Sequence, residues 1–342
     1  MKESKRGVKV FWGVLAAVFL AVFLIGVQNI STCRAGEGEG LIPEKWWPSK
    51  WGPDDERGAN NLITSEVIMS ALKIPKTGQV YKLTKPYTNH MPLPWGRTYS
   101  LTIPGIPTGG PYGKQGIVWN DEFLVGEICQ VGTQFDGLGH IGLRDKDGVY
   151  RWYNGINFNQ YSGANSHGLK KLGPEKLAPY ITRGVLIDAA GLKGVKTMQK
   201  GEVITVDDIE TCIKKAGIAP IKKGDAVLFN TGWIELWEPL DEKTYDAGEP
   251  GVGIKAIKYL AAKEVSIVGA DTWGALDVVP GEDPDYPFPA HSYLEAVNGI
   301  GQLQNLDLRE LAKDKVYEFL FIFTPIPLQG ATGSPVGAVA IK

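Results

Sequence analysis

The chain has 342 residues, 43% of them hydrophobic, and a net charge of −2, so it is long enough to bury a sizeable core. Acidic and basic residues are interspersed, and no basic stripe occurs in the body of the chain, which argues against nucleic acid as a partner. The 43 glycines and 22 prolines are scattered between apolar runs, a pattern typical of a loop-rich globular protein and not of disorder.

The first 40 residues are predicted to direct export. Four basic residues within the first nine positions precede an uncharged apolar run at 10–27, and this order is typical of an export signal. The run just reaches the length of a membrane span, so two outcomes stay open: cleavage near residues 33–35, or an uncleaved N-terminal anchor. Residues 36–40 then form a flexible tether. Both outcomes place the body in the periplasm or another extracytoplasmic space, with membrane contact only through this segment.

Downstream of the tether, hydrophobic periodicity and turn residues predict a mixed set of helices and strands. In chain order they are a helix at 65–74 with Ser65 as its N-cap, a strand at 79–87, a strand at 183–191, a helix at 206–218, a strand at 225–233, a helix at 253–265, and strands at 266–272 and 317–326. Strands and helices alternate only in the second half, and no polar linker divides the chain. Residues 41–342 are therefore predicted to form a single α/β or α+β domain with a sheet at its centre.

Several motifs that would indicate other chemistries are missing from the sequence. GATGSP at 330–335 lacks the lysine of a phosphate-binding loop, and neither GxSxG nor HExxH occurs. The three cysteines show no CxxC spacing, which argues against a zinc ribbon. Cys129 and Cys212 could form a disulfide in an oxidising compartment, but two free thiols are the favoured interpretation.

The stretch ICQVGTQFDGLGHIG at 128–142 holds the side chains that are most suggestive of chemistry, namely Gln130, Gln134, Asp136 and His140. Residues two or four apart on an extended strand share a face, so the two amides and the carboxylate can point the same way. The GLGH turn can then return the histidine to the same place. The residues alone leave two interpretations open: a strand end whose amides satisfy one another, or a metal-dependent site.

The same stretch resembles the signature of the cyclase-like metal-dependent hydrolase family, which includes bacterial kynurenine formamidase and isatin hydrolase. That signature reads H-x-G-T-H-x-D-x-x-x-H, and here Gln130 and Gln134 replace the two leading histidines. The resemblance extends in the right order over almost all of 41–342, at WGPDDERGANNLIT (51–64), GDAVLFNTGW (224–233), GADT (269–272), PFPAHSYL (287–294) and GATGSPV (330–336). It implies a swivelling β/β/α-type fold with a central mixed, barrel-like sheet and flanking helices, and the longer branch of the family is expected to carry these glutamines.

The resemblance also implies a set of metal ligands. In the family, the two leading histidines and the aspartate hold zinc or manganese, the last histidine lies beside the bound water, and a downstream histidine and glutamate complete the site. The downstream histidine corresponds to His291, and the glutamate position corresponds to Gln304, with Gln302 as the alternative alignment. The amides at these positions should bind a divalent ion more weakly than imidazole or carboxylate, and they favour harder ions such as Mn²⁺.

Together these residues predict the hydrolysis of a small carbonyl compound such as an aryl formamide, a lactam or a lactone. One weakly bound divalent ion, Mn or Zn, would be held by Asp136 together with Gln134 and Gln130. His140 would act as the general base and then as the acid, and His291 would orient the carbonyl or stabilise the oxyanion. The alternative is an exported ligand-binding or inactive scaffold protein of the same fold, with a degenerate metal site.

The surroundings of the site and the assembly are also predicted. Trp95 and Trp273 are the aromatic candidates for pocket walls, Gln304 is expected at the pocket, and His90 lies in a proline-rich loop that could overhang it. Because family members are usually dimers or larger, the resemblance implies a homodimer or a higher homo-oligomer. A small-molecule substrate is the other expected partner.

Overall fold

A computed structural model of the protein describes residues 40–161, 167–238 and 242–342. The predicted export segment, with its apolar run at 10–27, lies outside the described residues. Within these three ranges, no helix is long and apolar enough to cross a membrane. The contacts of the body group Leu41–Lys342 into one unit.

The described body contains many strands, most of them short. In chain order, the described strands are β1 (Val80–Lys82), β2 (Tyr99–Thr102), β3 (Gly109–Tyr112), β4 (Ile117–Trp119), β5 (Phe123–Gly126), β6 (Gln134–Asp136), β7 (Leu143–Arg144), β8 (Tyr150–Arg151), β9 (Tyr180–Asp188), β10 (Val203–Ile204), β11 (Ala226–Asn230), β12 (Gly251–Val252), β13 (Ile267–Ala270), β14 (Gly301–Gln304), β15 (Glu318–Phe323), β16 (Gly333–Pro335) and β17 (Val339–Ile341).

The helices are short and lie mostly in the second half of the chain. In chain order, the described α-helices are α1 (Ser65–Ala71), α2 (Phe158–Tyr161), α3 (Ala189–Lys193), α4 (Val206–Ala216), α5 (Glu242–Tyr245), α6 (Ile254–Ala262) and α7 (Arg309–Lys313). Single 3₁₀ turns occur at Gly58–Leu62, Pro94–Gly96, Tyr153–Gly155, Pro174–Lys176 and Trp233–Trp237. One π-helix spans His291–Val297, and π-helical turns are frequently found at functional sites.

A mixed sheet forms the centre of the described body. Nine of the described strands are joined in the order β1-β17-β15-β9-β11-β13-β14-β6-β16, and the sheet curls into a half-barrel. Strands β9, β11, β13 and β14 are parallel to one another, whereas β6 pairs antiparallel with both β14 and β16. The predicted α/β fold with a central mixed, barrel-like sheet and flanking helices is therefore confirmed.

Alternation along the central strands places one apolar core on each face of the sheet. On β9, Val185 and Ile187 join the core that also holds the buried sides of α4 and α6, while Leu186 joins the core on the opposite face. Strand β11 divides in the same way, with Val227 on the helical side and Leu228 on the other. Strands buried on both faces read as nearly continuous apolar runs, which is why VLID and AVLF are visible in the sequence.

The predicted elements exist, but several of their ends differ. Helix α1 begins at Ser65 and not after it, because the side chain of Thr64 accepts the hydrogen bond from the Val67 N–H and caps the helix. The predicted strand at 79–87 is regular only over the three residues of β1. Strand β9 starts three residues earlier than the predicted 183 and ends at Asp188, whose side chain caps α3. Cys129 and Cys212 are both free thiols.

A segment that the sequence did not predict as regular forms two small hairpin sheets. Strand β2 pairs with β5, and β3 pairs with β4, all antiparallel. We call residues 99–126 the apolar arm, because ten of the eighteen exposed large apolar side chains of the described residues lie on it: Leu101, Ile103, Ile106, Tyr112, Ile117, Val118, Trp119, Phe123, Leu124 and Val125. Exposed apolar surface on this scale is typical of an interaction site.

Candidate metal centre and active-site cavity

Two neighbouring strands bring an aspartate and two amides onto one face of the sheet. On β6, Gln134 and Asp136 lie two residues apart and are both buried, while Phe135 between them enters the apolar core on the opposite face. Strand β14 lies beside β6, with Gln304 opposite Gln134 and Gln302 opposite Asp136. The antiparallel register therefore places the carboxylate among side-chain amides, as the spacing of the sequence predicted for β6.

His140 returns to this face through a tight turn. The His140 N–H donates to the Gly137 carbonyl over 2.9 Å, and the Gly137 N–H donates to the Thr332 carbonyl over 3.0 Å, next to β16. The turn leaves the imidazole Nε2 of His140 3.8 Å from Oδ2 of Asp136. The side chain of His140 remains 20% exposed, so it is open to a ligand.

His291 approaches the same carboxylate from the start of the π-helix. Its Nε2 lies 3.3 Å from Oδ2 of Asp136, while its Nδ1 is hydrogen-bonded to Asp277. The carboxylate of Asp277 also accepts from the backbone N–H groups of Ala290 and His291, over 2.7 and 3.3 Å. These three contacts fix the ring orientation, with Nδ1 toward Asp277 and Nε2 directed at the site.

The three side chains form a set of donors that could hold one metal ion. One ligand atom each from Asp136, His140 and His291 lies within 4.8 Å of the others. This is the one such cluster among the residues the structure describes. A carboxylate with two imidazoles is a common donor set for a divalent transition-metal ion, and a carboxylate bonded to the second nitrogen of a ligating histidine is a regular companion of such sites.

The predicted glutamines surround Asp136 and hydrogen-bond to it. Gln130 and Gln134 each donate an amide N–H to Oδ1 over 3.3 Å, and Gln304 donates to Oδ2 over 2.6 Å. Gln134 also donates to Oε1 of Gln304 over 2.7 Å. Of the two alignments for the glutamate position, the structure places Gln304 at the site, whereas the amide of Gln302 is buried without a hydrogen bond.

The electrostatics of the site favour a charged carboxylate and a neutral His140. Burial disfavours ionisation of Asp136, but the nearby imidazoles of His140 and His291 outweigh it and hold the pKa of Asp136 below its usual value. Burial lowers the pKa of His140, despite the opposing charge of Asp136. Burial also acts to lower the pKa of His291, but the hydrogen bonds to Asp136 and Asp277 outweigh burial and raise this pKa well above the usual value.

A cavity of about 420 Å³ opens above these residues. His140, His291, Gln130 and Gln304 contribute to its floor and walls, and Trp95, Arg97, Trp273 and Phe288 are among its other lining residues. Both predicted tryptophans thus line the cavity, with ring centroids 5.8 Å apart. Buried Glu249 accepts from the N–H groups of Trp273 and Gly274, over 2.8 Å each, which fixes the turn that carries Trp273.

His90 does not line this cavity, in contrast to the prediction. Its side chain is exposed, and the backbone N–H of His90 donates to the Thr88 hydroxyl within its own loop. The wall that His90 was expected to form is supplied instead by Trp95 and Arg97, which follow the same proline-rich loop.

Two buried acids near the site were missed in the sequence. Asp277 follows the carboxyl end of β13, where parallel sheets commonly place functional residues, and this position was an available signal. Glu295 lies four residues after His291 and is fully buried, and its Oε1 accepts from the N–H of Ile141, next to His140. Burial raises the pKa of Glu295 to about 8. A glutamate in a turn-rich segment gives no sequence signal of burial.

Comparison with known proteins agrees with the resemblance. A family model described as "Putative cyclase" matches residues 81–276, more than half of the chain. No curated protein sequence matches the chain. A solved structure described as a novel cyclase is 28% identical, covers 86% of this chain and 98% of its own, and superposes with a TM-score of 0.74.

Isatin hydrolases share the fold at lower identity. Isatin hydrolase A from Ralstonia solanacearum is 20% identical, covers 77% of this chain and 92% of its own, and has a TM-score of 0.55. Isatin hydrolase A from Labrenzia aggregata is 21% identical, with 77% and 93% covered and the same TM-score of 0.55. From the family match over more than half its length, the chain belongs to the cyclase family.

Proposed function

We propose that the protein is a metal-dependent hydrolase that cleaves the bond between the carbonyl carbon and the nitrogen or oxygen atom of a small amide, lactam or lactone. The observation that carries the proposal is the convergence of Asp136, His140 and His291, of which the two histidines line an aromatic-walled cavity. Membership of the cyclase family supports the same reaction class.

The donor set fits one divalent ion. Asp136 is the anionic ligand, and Nε2 of His291 is directed at the same point because Asp277 fixes Nδ1. We therefore propose that His291 is an ion ligand, instead of the carbonyl-orienting role that the sequence predicted. Gln130 and Gln134 would present their amide oxygens after a turn of the amide group. When bound, such an ion supplies Lewis acidity and lowers the pKa of a coordinated water.

His140 is the proposed general base. Because the pKa of His140 lies below its ordinary value, the imidazole is neutral at pH 7 and can accept a proton at Nε2. As water oxygen bonds to the carbonyl carbon, its proton passes to His140. As the carbon–nitrogen or carbon–oxygen bond of the substrate breaks, His140 returns that proton to the leaving atom.

The cavity supports a small, partly aromatic substrate. Its volume of about 420 Å³ lies in the range of small-molecule sites. Trp95 lies 6.2 Å from Phe288 between ring centroids, so an aromatic ring could pack against both. An aryl formamide or a lactam fits this chemistry, and hydrolysis of a cyclic amide is consistent with the isatin hydrolases that share the fold.

One observation favours a second candidate, an exported ligand-binding protein or inactive scaffold. Gln130, Gln134 and Gln304 all donate hydrogen bonds to the carboxylate of Asp136. The buried carboxylate is therefore stabilised by the amides without a metal ion. Protein purified without chelator distinguishes the two candidates. If the protein is the hydrolase, the wild type should contain a divalent ion that Asp136→Ala lacks. If it is the scaffold, neither the wild type nor Asp136→Ala should contain one.

Activity is tested on a panel of formamides, lactams and lactones with added Mn²⁺ or Zn²⁺. We expect turnover that His140→Ala abolishes without loss of metal, because the substitution removes the base and leaves Asp136 and His291 in place. His90→Ala is the matched control, since His90 is exposed outside the cavity, and it should keep full activity. Full activity of His140→Ala on a substrate that the wild type hydrolyses would show that the proposed mechanism is wrong.

A further inference from the structure

Arg97 is a cation in the wall of the cavity. It is half-buried and lines the same cavity as His140 and His291. Among the described residues, its guanidinium makes no ion pair and no hydrogen bond. By contrast, Arg151, Arg183 and Arg309 each pair with a carboxylate: Asp145, Asp225 and Asp307, respectively.

The backbone around Arg97 is held in place by the hydrogen bonds of its neighbour Thr98. The N–H and hydroxyl of Thr98 both donate to Oε2 of Glu127, over 2.6 and 2.9 Å, and the Glu127 N–H donates back to the Thr98 carbonyl over 3.0 Å. On the other side, Trp95 and Gly96 adopt left-handed conformations, with φ of 68° and 71°. Glu127 is therefore hydrogen-bonded to Thr98 while its charge also acts on Arg97, and the side chain of Arg97 lines the cavity.

The carboxylates of Glu127 and Asp136 act on this guanidinium as nearby charges, but neither is hydrogen-bonded to it. A half-buried guanidinium whose N–H donors meet no acceptor is stabilised when a ligand supplies one. Guanidinium matches carboxylate in a planar, two-point arrangement and is not readily replaced by a neutral partner. The remaining walls nearby are aromatic: Trp95 lies 5.8 Å from Trp273 and 6.2 Å from Phe288. An anionic group at Arg97 would thus bring an attached ring against these aromatic walls, because all of them line the same cavity.

We propose that Arg97 is a specificity-determining residue that binds the carboxylate of an aromatic substrate, so that the substrate class is an aromatic amide, lactam or lactone that bears a carboxylate. The carboxylate is held at Arg97, the ring packs against Trp95 and Phe288, and the scissile carbonyl reaches His140. The reaction class rests on the proposed function, whereas the carboxylate site rests on Arg97 and the aromatic walls alone.

The binding test uses benzoate and its neutral counterpart benzamide in equilibrium dialysis with the full-length protein. Both are measured with excess chelator and again with added Mn²⁺, so that any contribution of an ion is separated. Wild type should bind benzoate more tightly than benzamide under both conditions. Arg97→Met should weaken benzoate binding roughly 10- to 100-fold, the usual effect of losing a hydrogen bond to a charged group, and should leave benzamide binding unchanged.

Arg144→Met is the matched control, because Arg144 is an exposed arginine next to the cavity-lining residue Leu143. It should leave both affinities unchanged, and Arg97→Lys should restore part of the preference for benzoate. Equal binding of benzoate and benzamide by the wild type, no benzoate binding, or benzoate binding that Arg97→Met does not weaken overturns the inference.

The same proteins separate this inference from the proposed function. If benzoate binding depends on Arg97 but no amide, lactam or lactone is hydrolysed, the carboxylate site stands and the hydrolase proposal fails. If substrates are hydrolysed and Arg97→Met changes KM equally for carboxylated and neutral members of a matched pair, the hydrolase proposal stands and the carboxylate site fails.

Discussion

Asp136 is the residue on which the site depends. Its two carboxylate oxygens accept hydrogen bonds from three side-chain amides, and both imidazoles of the cluster lie within 4 Å of Oδ2. The amides approach mainly through Oδ1, whereas the histidines approach Oδ2. Asp136, the one anionic ligand, and His140, the candidate base, thus remain together at the site. This argues for a site that binds metal weakly rather than for one that has lost metal binding.

The glutamines should set the strength of metal binding. Converting Gln130 and Gln134 together to histidine should tighten zinc binding by about 1–3 kcal/mol, by analogy with the size of ligand-environment effects at metal sites, because imidazole is the better zinc donor. The wild type should hold its metal loosely and prefer Mn²⁺. Competition with a fluorescent chelator measures both affinities.

The matched control for that measurement adds Asp136→Ala to the double histidine variant. It should remove the gain, because the new imidazoles would then lack the carboxylate that anchors the ion. An unchanged zinc affinity in the double variant would mean that these side chains cannot reach the ion.

Asp271 should make stability depend on pH. Its Oδ1 accepts from the N–H and hydroxyl of Thr231, over 2.9 and 2.6 Å, while Oδ2 is buried without a hydrogen bond. Burial raises the pKa of Asp271 from 3.8 to about 6. A raised folded-state pKa gives a stabilisation that is complete below the unfolded pKa and is lost as the pH rises through about 6.

Asp271→Asn removes that ionisation and keeps an oxygen for Thr231. We expect it to raise the free energy of unfolding by about 1–3 kcal/mol at pH 8 and by about 1 kcal/mol less at pH 5. Urea unfolding at the two pH values measures the difference. The same gain at both values would show that Asp271 does not titrate between them.

At the scale of elements, the central sheet was predictable and the apolar arm was not. Strands β9, β11 and β13 are buried on both faces, so their apolar runs stand out in the sequence. The arm consists of short strands with exposed apolar side chains and turn residues between them. Its pattern resembles neither a buried strand nor an alternating one, because most of its apolar side chains are exposed and only Tyr99 at its start packs on a core cluster of the described body.

The apolar arm should mediate the homodimer that the family resemblance implies. Another chain can cover exposed apolar side chains and pair with unpaired strand edges. A second copy of the protein offers both features on its own arm, so the two arms can pack against each other. We expect light scattering of the full-length protein to give the mass of two chains, and Ile117→Ser with Phe123→Ser to give the mass of one.

Val149→Ser is the control for the arm variant, because Val149 is exposed outside the arm. It should remain dimeric. A wild-type protein that is monomeric at micromolar concentration would contradict the predicted assembly.

At the scale of the whole molecule, the basic start and the apolar run at 10–27 predict export of the body. Fractionation of cells that express the full-length chain should recover it outside the cytoplasm, at the membrane if the run is retained and in the soluble extracytoplasmic fraction if it is cleaved. Replacing the four basic residues near the start with glutamate should retain the protein in the cytosol. Full-length wild-type protein in the cytosol would contradict this prediction.

The sequence by itself determined the features that are local in the chain. Apolar runs located the buried strands, and the spacing within residues 130–140 predicted that Gln130, Gln134, Asp136 and His140 would meet. Strand alternation explains this for Gln134 and Asp136, whereas Gln130 was wrongly expected on the same strand and lies in the turn before it. The family motifs in their order supplied the fold and the candidate His291.

Only the tertiary structure decided the contacts between distant segments. His291 reaches Asp136 across 155 positions, and Gln304, 168 positions away, hydrogen-bonds to it although Gln302 is the residue directly opposite in the register. Asp277 supports His291, and Arg97 enters the cavity in place of His90. These pairings depend on the order and register of β6 and β14 and on the paths of the loops beyond their ends, and a one-residue shift in register would turn each side chain to the opposite face.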